Sequence, residues 1–292
     1  MNSVLECKGI TKEYKEKKAL KGIDLTLEKG KIYGMIGRNG AGKTTLLSIM
    51  TSQSRPTKGS VSLDGESVWE NQKILDKMCF SRELNQVSAM GPNNMKVKEY
   101  LRTASIYFPN WDKEMADRLV KDFELNVKQK ISKLSKGMMS MVTIIVALAS
   151  KAEYTFLDEP VAGLDVVARE QFYKILLEEY NETGRTFIIS THIIEEAADI
   201  FEEVIIINRG ELLLKENTQH LLERACHVSG KADVVDKAVK GMEVHGVENM
   251  GRSKGATVLM EPGNWIESTP DLSVQSVSLQ NLFVALCGEE GR

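Results

Sequence analysis

The sequence predicts an α/β fold: a mostly parallel sheet, an inserted helical segment and a small C-terminal α+β appendage. Three observations lead there. Short apolar runs alternate with helical patterns between residues 154 and 207, the alternation that builds a parallel sheet covered by helices. A glycine-rich loop, Gly37-Arg-Asn-Gly-Ala-Gly-Lys-Thr44, lies between an apolar run at 31–36 and a helical pattern at 44–50. From about 97 to 150 the apolar period is helical.

Taken in order, residues 4–10 read as an opening strand, followed by a lysine-rich turn and a second strand at 22–27. The run at 31–36 reads as a buried strand, 44–50 as a helix, and 60–63 and 78–80 as further short strands. In the helical segment, Phe108, Pro109, Asn110 and Trp111 break two helices apart. Then come a strand at 154–157, a helix near 166–179, a strand at 186–189, a helix near 193–201 and a strand at 204–207. After about residue 216 the pattern changes. Residues 218–224 suit a linking helix. The stretch 231–240 places Val234, Val235, Ala238 and Val239 on one helical face, with Gly241 as its C-cap. Residues 256–260 read as a strand, and Leu279, Leu282, Phe283 and Leu286 form a helical stripe. The expected domains are 1–216, with a helical subdomain at about 88–150, and a small accessory domain at 217–292. The latter is too short to bury much core by itself.

Composition narrows the function. The 292 residues, 42% apolar and 27% charged, suffice for one large domain and a smaller one. A formal net charge of -3 gives no global basic field to recruit nucleic acid, so no nucleic-acid partner is expected. The N-terminal stretch lacks the apolar core of a signal peptide. No apolar run approaches the roughly 20 residues that cross a bilayer, so a membrane role would be peripheral, through a partner. Cys7, Cys79, Cys226 and Cys287 form no CxxC pair, and the four histidines show no HExxH spacing. Neither a zinc site nor a disulfide framework is expected, which fits a reducing cytoplasm.

Two motifs carry phosphate chemistry. The loop at 37–44 matches GxxxxGK[ST] in the required strand–loop–helix context. Gly37, Gly40 and Gly42 let the backbone wrap a phosphate chain whose oxygens accept amide hydrogens at the helix N-terminus. Arg38, Asn39, Ala41 and Thr45 complete the nucleotide-binding stretch. Lys43 is placed to neutralise β and γ phosphates, and the Thr44 hydroxyl to ligate Mg²⁺. Downstream, EYTFLDEP at 153–160 is an apolar strand ending in two acids. Asp158 can hold Mg²⁺ through its water shell, and Glu159 can polarise the water that attacks the γ phosphate.

With LSKGM at 134–138, AGLD at 162–165 and STH at 190–192 added in this order, residues 1–216 resemble the ATP-binding subunit of ATP-binding-cassette (ABC) transporters. The resemblance implies a P-loop ABC-ATPase fold, with an antiparallel β subdomain and an inserted helical subdomain beside the parallel core. It also implies ATP and Mg²⁺ as ligands, and a head-to-tail pair with a second ATP-binding subunit. By the same resemblance Ser135 and Gly137 hold the γ phosphate of the second subunit's nucleotide. The usual LSGGQ is altered by Lys136 and Met138, and Lys136 would add positive charge near the phosphates or remain a solvated lysine. His192 resembles the switch histidine beside Glu159. Asp165 resembles the aspartate linking two active sites, and is also suited to N-cap the helix after it. Tyr14 corresponds to the aromatic stacked on adenine. Where the family has a magnesium-contacting glutamine, alignment by the strand puts Glu83, with Gln86 as rival.

The stretch YFPNWD at 107–112, Glu83 and GELLLKENT at 210–218 resemble ATPases of bacterial exporters of antimicrobial peptides and amphipathic toxins, including the phenol-soluble-modulin exporters. The expectation is an exporter motor for a peptide or drug on the cytoplasmic face of the membrane, working with a separate transmembrane permease and a second ATP-binding subunit, either a copy of itself or a close paralogue. An importer ATPase and a soluble ABC ATPase are the competing readings. The soluble machines usually carry two cassettes or a long coiled coil, whereas this chain has one P-loop and no sustained heptads.

Overall fold

The computed structural model describes residues 3–84, 94–261 and 263–288. The chain forms two compact units, Met1–His192 with Ile207–Leu213, and Ile193–Ile206 with Leu214–Arg292. The expected division after residue 216 differs from this: residues 193–206 group with the C-terminal segment.

The first unit opens with β1 (Val4–Tyr14), β2 (Lys17–Glu28), β3 (Ile32–Ile36), α1 (Lys43–Met50), β4 (Lys58–Leu63), β5 (Glu66–Ser67), α2 (Gln72–Leu75) and β6 (Met78–Ser81). It continues with α3 (Val97–Tyr107), α4 (Lys113–Asp122), α5 (Lys136–Ala149), β7 (Tyr154–Asp158), α6 (Val166–Thr183) and β8 (Thr186–Thr191). β2, β1, β4 and β5 make an antiparallel sheet in that order. β2 buries Leu20, Ile23, Leu25 and Leu27 and exposes most of the residues between them, the alternation of a sheet with one wet face. β3, β8, β7 and β6 run parallel in that order. Every residue of β3, β7 and β8 is buried, as a parallel strand covered on both faces requires.

The helical segment contains α3, α4 and α5. α3 ends before Phe108 and Pro109, and α4 starts where the Asp112 carboxylate accepts from the Met115 amide at 2.9 Å. α5 is apolar around most of its circumference, with Met139, Val142, Ile144, Ile145 and Leu148 all buried. Its C-terminal carbonyls would be orphans. Arg185 meets them, donating to Leu148 O at 2.9 Å and Ala147 O at 3.2 Å. The guanidinium also lies 3.3 Å from Glu179 on α6, and Lys151 bonds the same carboxylate at 2.7 Å. Arg185 and Glu179 are both buried, so removing Glu179 would leave the Arg185 guanidinium without its carboxylate, whereas Lys151 would still pair Glu179 if Arg185 were lost.

The second unit contains β9 (Glu203–Asn208), β10 (Glu211–Asn217), α7 (Thr218–Glu223), β11 (Ala225–Lys231), α8 (Ala232–Ala238), β12 (Glu243–Met250), β13 (Ser253–Leu259), β14 (Leu272–Ser276) and α9 (Leu279–Cys287). Residues 207–213, spanning the end of β9 and the start of β10, belong to the first unit and extend its parallel sheet. β12, β13, β11 and β14 form an antiparallel sheet in that order. Its core is Cys226, Val228, Val235, Val239, Ala256, Val258, Met260 and Leu272. The Thr218 amide donates to Glu202 O at 2.9 Å and Gln280 to Glu195 at 3.0 Å, which ties residues 193–206 to this unit.

The helix expected near 193–201 is not an α-helix. Only Ala198–Ile200 is helical, and it is a 3₁₀ turn. The apolar residues Ile194, Ala197 and Ile200 recur every third position and are buried. Successive i to i+3 bonds, Ala197 N to Ile194 O and Ile200 N to Ala197 O, match that spacing. The four cysteines are buried and none is in a disulfide, and burial pushes the Cys7 thiol up to about 12 and the Cys79 thiol to about 11.

The Met115 amide, then the Lys151 ammonium, holds the Asp112 carboxyl below the usual carboxylate range. A depressed folded-state value stabilises above the unfolded value and is lost as pH falls through the folded one. Asp112→Ala should therefore cost about 1 kcal/mol at neutral pH, as loss of an N-cap does. In urea denaturation the gap from wild type should narrow below about pH 4; a gap independent of pH would contradict the capping role.

Candidate functional site

The loop after β3 is shaped by what cannot stand there. A Cβ on Gly37 would lie 2.5 Å from Ile207 O, and one on Gly42 would lie 2.9 Å from Ala19 O. Gly42 also has φ +113°, a conformation that L side chains rarely adopt. The backbone thus folds tightly into α1, whose first amides have no intrahelical acceptor. Beside it lies a cleft of about 290 Å³ lined by Tyr14, Lys17, Ala19, Arg38, Asn39, Gly40, Ala41, Gly42, Lys43, Thr44, Thr45 and Glu159. Tyr14 is 49% exposed and carries the Lys12 ammonium 5.1 Å from its ring centre. Lys17 and Ala19 line this cleft although no sequence motif marks them.

Lys43 is buried, with its ammonium 2.6 Å from Gly37 O and 3.3 Å from Glu159 Oε1. The other Glu159 oxygen is 2.6 Å from His192 Nδ1. An ionised carboxylate only accepts, so Nδ1 carries the hydrogen in this contact. Glu159 has φ +52°, uncommon for a residue with a side chain. Its amide is held by Ser190, through the backbone oxygen at 3.1 Å and the hydroxyl at 3.1 Å. The same hydroxyl donates to Asp158 Oδ1 at 2.6 Å. Ser190 therefore organises both acids, a role legible only as part of the STH triplet.

Thr44 is exposed at the start of α1, and Asp158 is almost fully buried at the end of β7. Among the described residues no three His, Cys, Asp or Glu side chains gather as a metal cage. Thr44 lines the cleft, whereas Asp158 does not line it and directly precedes Glu159, which does. A hydroxyl in the cleft with a carboxylate behind it suits Mg²⁺, which keeps waters between itself and protein groups and takes the rest of its ligands from phosphate oxygens. Glu83 does not line the cleft; its carboxylate lies 3.2 Å from the Lys136 ammonium. Gln86 lies outside the described residues.

The LSKGM segment forms the N-terminus of α5. Ser135 is its N-cap, accepting from the Met138 amide at 3.2 Å. A Cβ on Gly137 would lie 2.5 Å from Gly163 O, and Ser140 donates to Ala162 O at 2.7 Å. These contacts dock the start of α5 onto the AGLD loop, where Asp165 caps α6 by accepting from Ala168 at 2.9 Å. Ser135, Lys136, Gly163 and Asp165 are exposed, and none lines the cleft.

The ABC transporter family model matches residues 20–162. The bacitracin transport ATP-binding protein BcrA of Enterococcus faecalis is 30% identical over 227 residues, covering 77% of this chain and 72% of that one. The chain belongs to the ABC transporter ATP-binding subunits. A second relative, the bacitracin transport ATP-binding protein BcrA of Bacillus licheniformis, is 29% identical over 84% of this chain and 80% of its own. The ATP-binding cassette MJ0796, solved as a dimer in a post-hydrolysis state with ADP and Pi, superposes with a TM-score of 0.64. It is 25% identical, over 73% of this chain and 98% of the other. This ABC subunit is accordingly an ATPase that takes ATP with Mg²⁺. Subunits of this family act with transmembrane permeases and form dimers. No helix among the described residues is long and apolar enough to cross a membrane.

Gly42→Ala should weaken ATP binding at least about tenfold, because relief of the clash moves the loop that presents the amides, and one lost charge-assisted bond is worth that much. Equilibrium binding of a fluorescent ATP analogue reads this, and unchanged affinity would mean that the loop backbone does not hold phosphate.

Proposed function

We propose that this ABC subunit is the motor of a bacterial exporter of membrane-active peptides, and that its two active sites form between two ATP-binding subunits. The observation that carries the second part is the exposure of Ser135, Gly163 and Asp165 away from the cleft of their own chain. A helix N-terminus suits an anion, and this exposed one would be open to a neighbour's γ phosphate. In this reading Tyr14 stacks on adenine, the 37–45 loop holds the phosphates, and Ser135 with the Gly137 amide closes on the nucleotide of the other subunit.

Lys43 has three donors and spends two on Gly37 O and Glu159, so one remains for phosphate before any rearrangement. Glu159, held from below by Ser190, takes a proton from the attacking water. His192 keeps that carboxylate oriented through Nδ1, and a doubly protonated ring can also donate to the γ phosphate through Nε2. Bound Mg²⁺, held by Thr44 and Asp158, supplies charge neutralisation of the phosphate oxygens. Each charge-assisted bond across the interface contributes about 1.5–3 kcal/mol. Two at each of two sites exceed the roughly 5.5 kcal/mol that moves a 1:99 equilibrium to 99:1.

The peptide cargo and export direction rest on likeness to the bacitracin transport proteins and on the stretches at 107–112 and 210–218. The same reading puts the subunit on the cytoplasmic face of the membrane, against a separate permease.

Glu159→Gln should retain ATP while lowering turnover at least about 10²-fold, and ATP should then trap dimers visible by sedimentation velocity. Turnover like that of wild type would remove the base assignment. Ser135→Arg should leave ATP affinity of the isolated subunit nearly unchanged and abolish those dimers; if dimers persist, the γ phosphate is not held in trans. For the cargo, co-expression with the permease should raise tolerance to an amphipathic peptide only with a Glu159-intact subunit.

A further inference from the structure

Lys136 touches two motifs at once. Its stem lies against the AGLD loop, where a Cβ on Gly163 would meet Lys136 Cγ at 2.8 Å and Cβ at 3.1 Å. Its ammonium lies 3.2 Å from Glu83, just past the end of β6. Both ends of this ion pair are about half exposed, so water and ions can compete for each. The lysine follows Ser135 directly at the start of α5, and the glutamate stands at the position expected to hold a magnesium-contacting residue. The two positions are remote in sequence, yet each departs from the usual uncharged residue, and with opposite charges.

Resting on the trans-site reading above, we propose that Lys136 is a switched phosphate contact. It is parked on Glu83 in the open subunit and handed to the γ phosphate of the neighbouring subunit's ATP when the dimer closes. The chemistry favours the transfer. A triphosphate offers more negative charge than one exposed carboxylate, and a flexible ammonium with three donors reorients at little cost. Packing on Gly163 keeps the stem near the interface while the head moves. Glu83 thereby competes with the nucleotide for one cation, so the loop after β6 sets how readily the dimer closes. Lys136 is a positioning and binding residue here, with no part in proton transfer.

The competition has a sign that a simple structural tie lacks. Breaking a tie from either end weakens closure in both cases. Breaking a competition weakens closure when the lysine is lost and strengthens it when the glutamate is lost. The test uses the full chain carrying Glu159→Gln, with ATP and Mg²⁺, and reads the dimer dissociation constant by sedimentation velocity. Lys136→Gln should raise that constant roughly fivefold, Lys136→Arg should restore it, and Glu83→Gln should lower it roughly fivefold, as exposed charge contacts allow. Should Glu83→Gln fold poorly, Glu83→Ala carries the same expectation. Weaker dimers from both Glu83→Gln and Lys136→Gln would overturn the proposal, as would no change from either. Ser135→Arg in the same background separates the two levels. If it still dimerises, the trans-site reading fails. If it does not, while the Glu83 and Lys136 variants share a sign, only the handover fails.

Discussion

The cleft depends on backbones packed too closely for side chains. Gly37 meets Ile207 O, Gly42 meets Ala19 O, and a Cβ on Gly210 would lie 2.6 Å from that same Ala19 O. Between them, Lys21 N donates to Gly210 O and Gly210 N to Ala41 O, each at 2.9 Å. The phosphate loop is thus clamped between β2 and the turn after residue 207, and its direction is fixed before any ligand arrives. Preorganised amides lose little freedom when they bind an anion. The entry into α1, the orientation of Lys43 and the position of Thr44 all follow from that clamp.

The acids depend on a second constraint. Glu159 follows a buried strand and turns through a left-handed conformation, which costs energy unless its surroundings enforce it. Ser190 on the neighbouring strand enforces it by holding the Glu159 amide and the Asp158 carboxylate together. Lys43 and His192 then divide the two carboxylate oxygens. In this arrangement the general-base candidate is paired with the lysine that must also meet phosphate, so nucleotide entry and release of Glu159 are coupled through a single ammonium.

How far the sequence could be read followed how local each signal was. The phosphate loop and the LDEP strand end were legible because chemistry and flanking elements lie within a few residues. Asp165 as a helix cap was legible in the same way, but its link to a second active site came only through family resemblance, as did the use of Ser135 by a second subunit. The stretch 193–201 misled because Ile194, Ala197 and Ile200 fit a helical stripe as well as a 3₁₀ spacing. β11 and β12 were not expected, since one contains Gly230 and the other exposes most of its residues. The Glu83–Lys136 contact joins residues with no sequence relation, and only tertiary structure brings them together.

The proposed second half-site is firm even though it is exposed. Gly137 against Gly163 O, Ser140 on Ala162 O and Arg185 on the carbonyls at the far end of α5 fix that helix at both termini. A turn held this way pays little ordering entropy when a phosphate reaches it, so the binding free energy of the γ phosphate goes largely into joining two subunits. Ser135 already spends its oxygen on the Met138 amide and keeps its hydroxyl hydrogen available to a phosphate. On the proposed trans reading, this turn need not refold to meet the neighbour's phosphate. Loss of the γ phosphate removes the one group that both halves share.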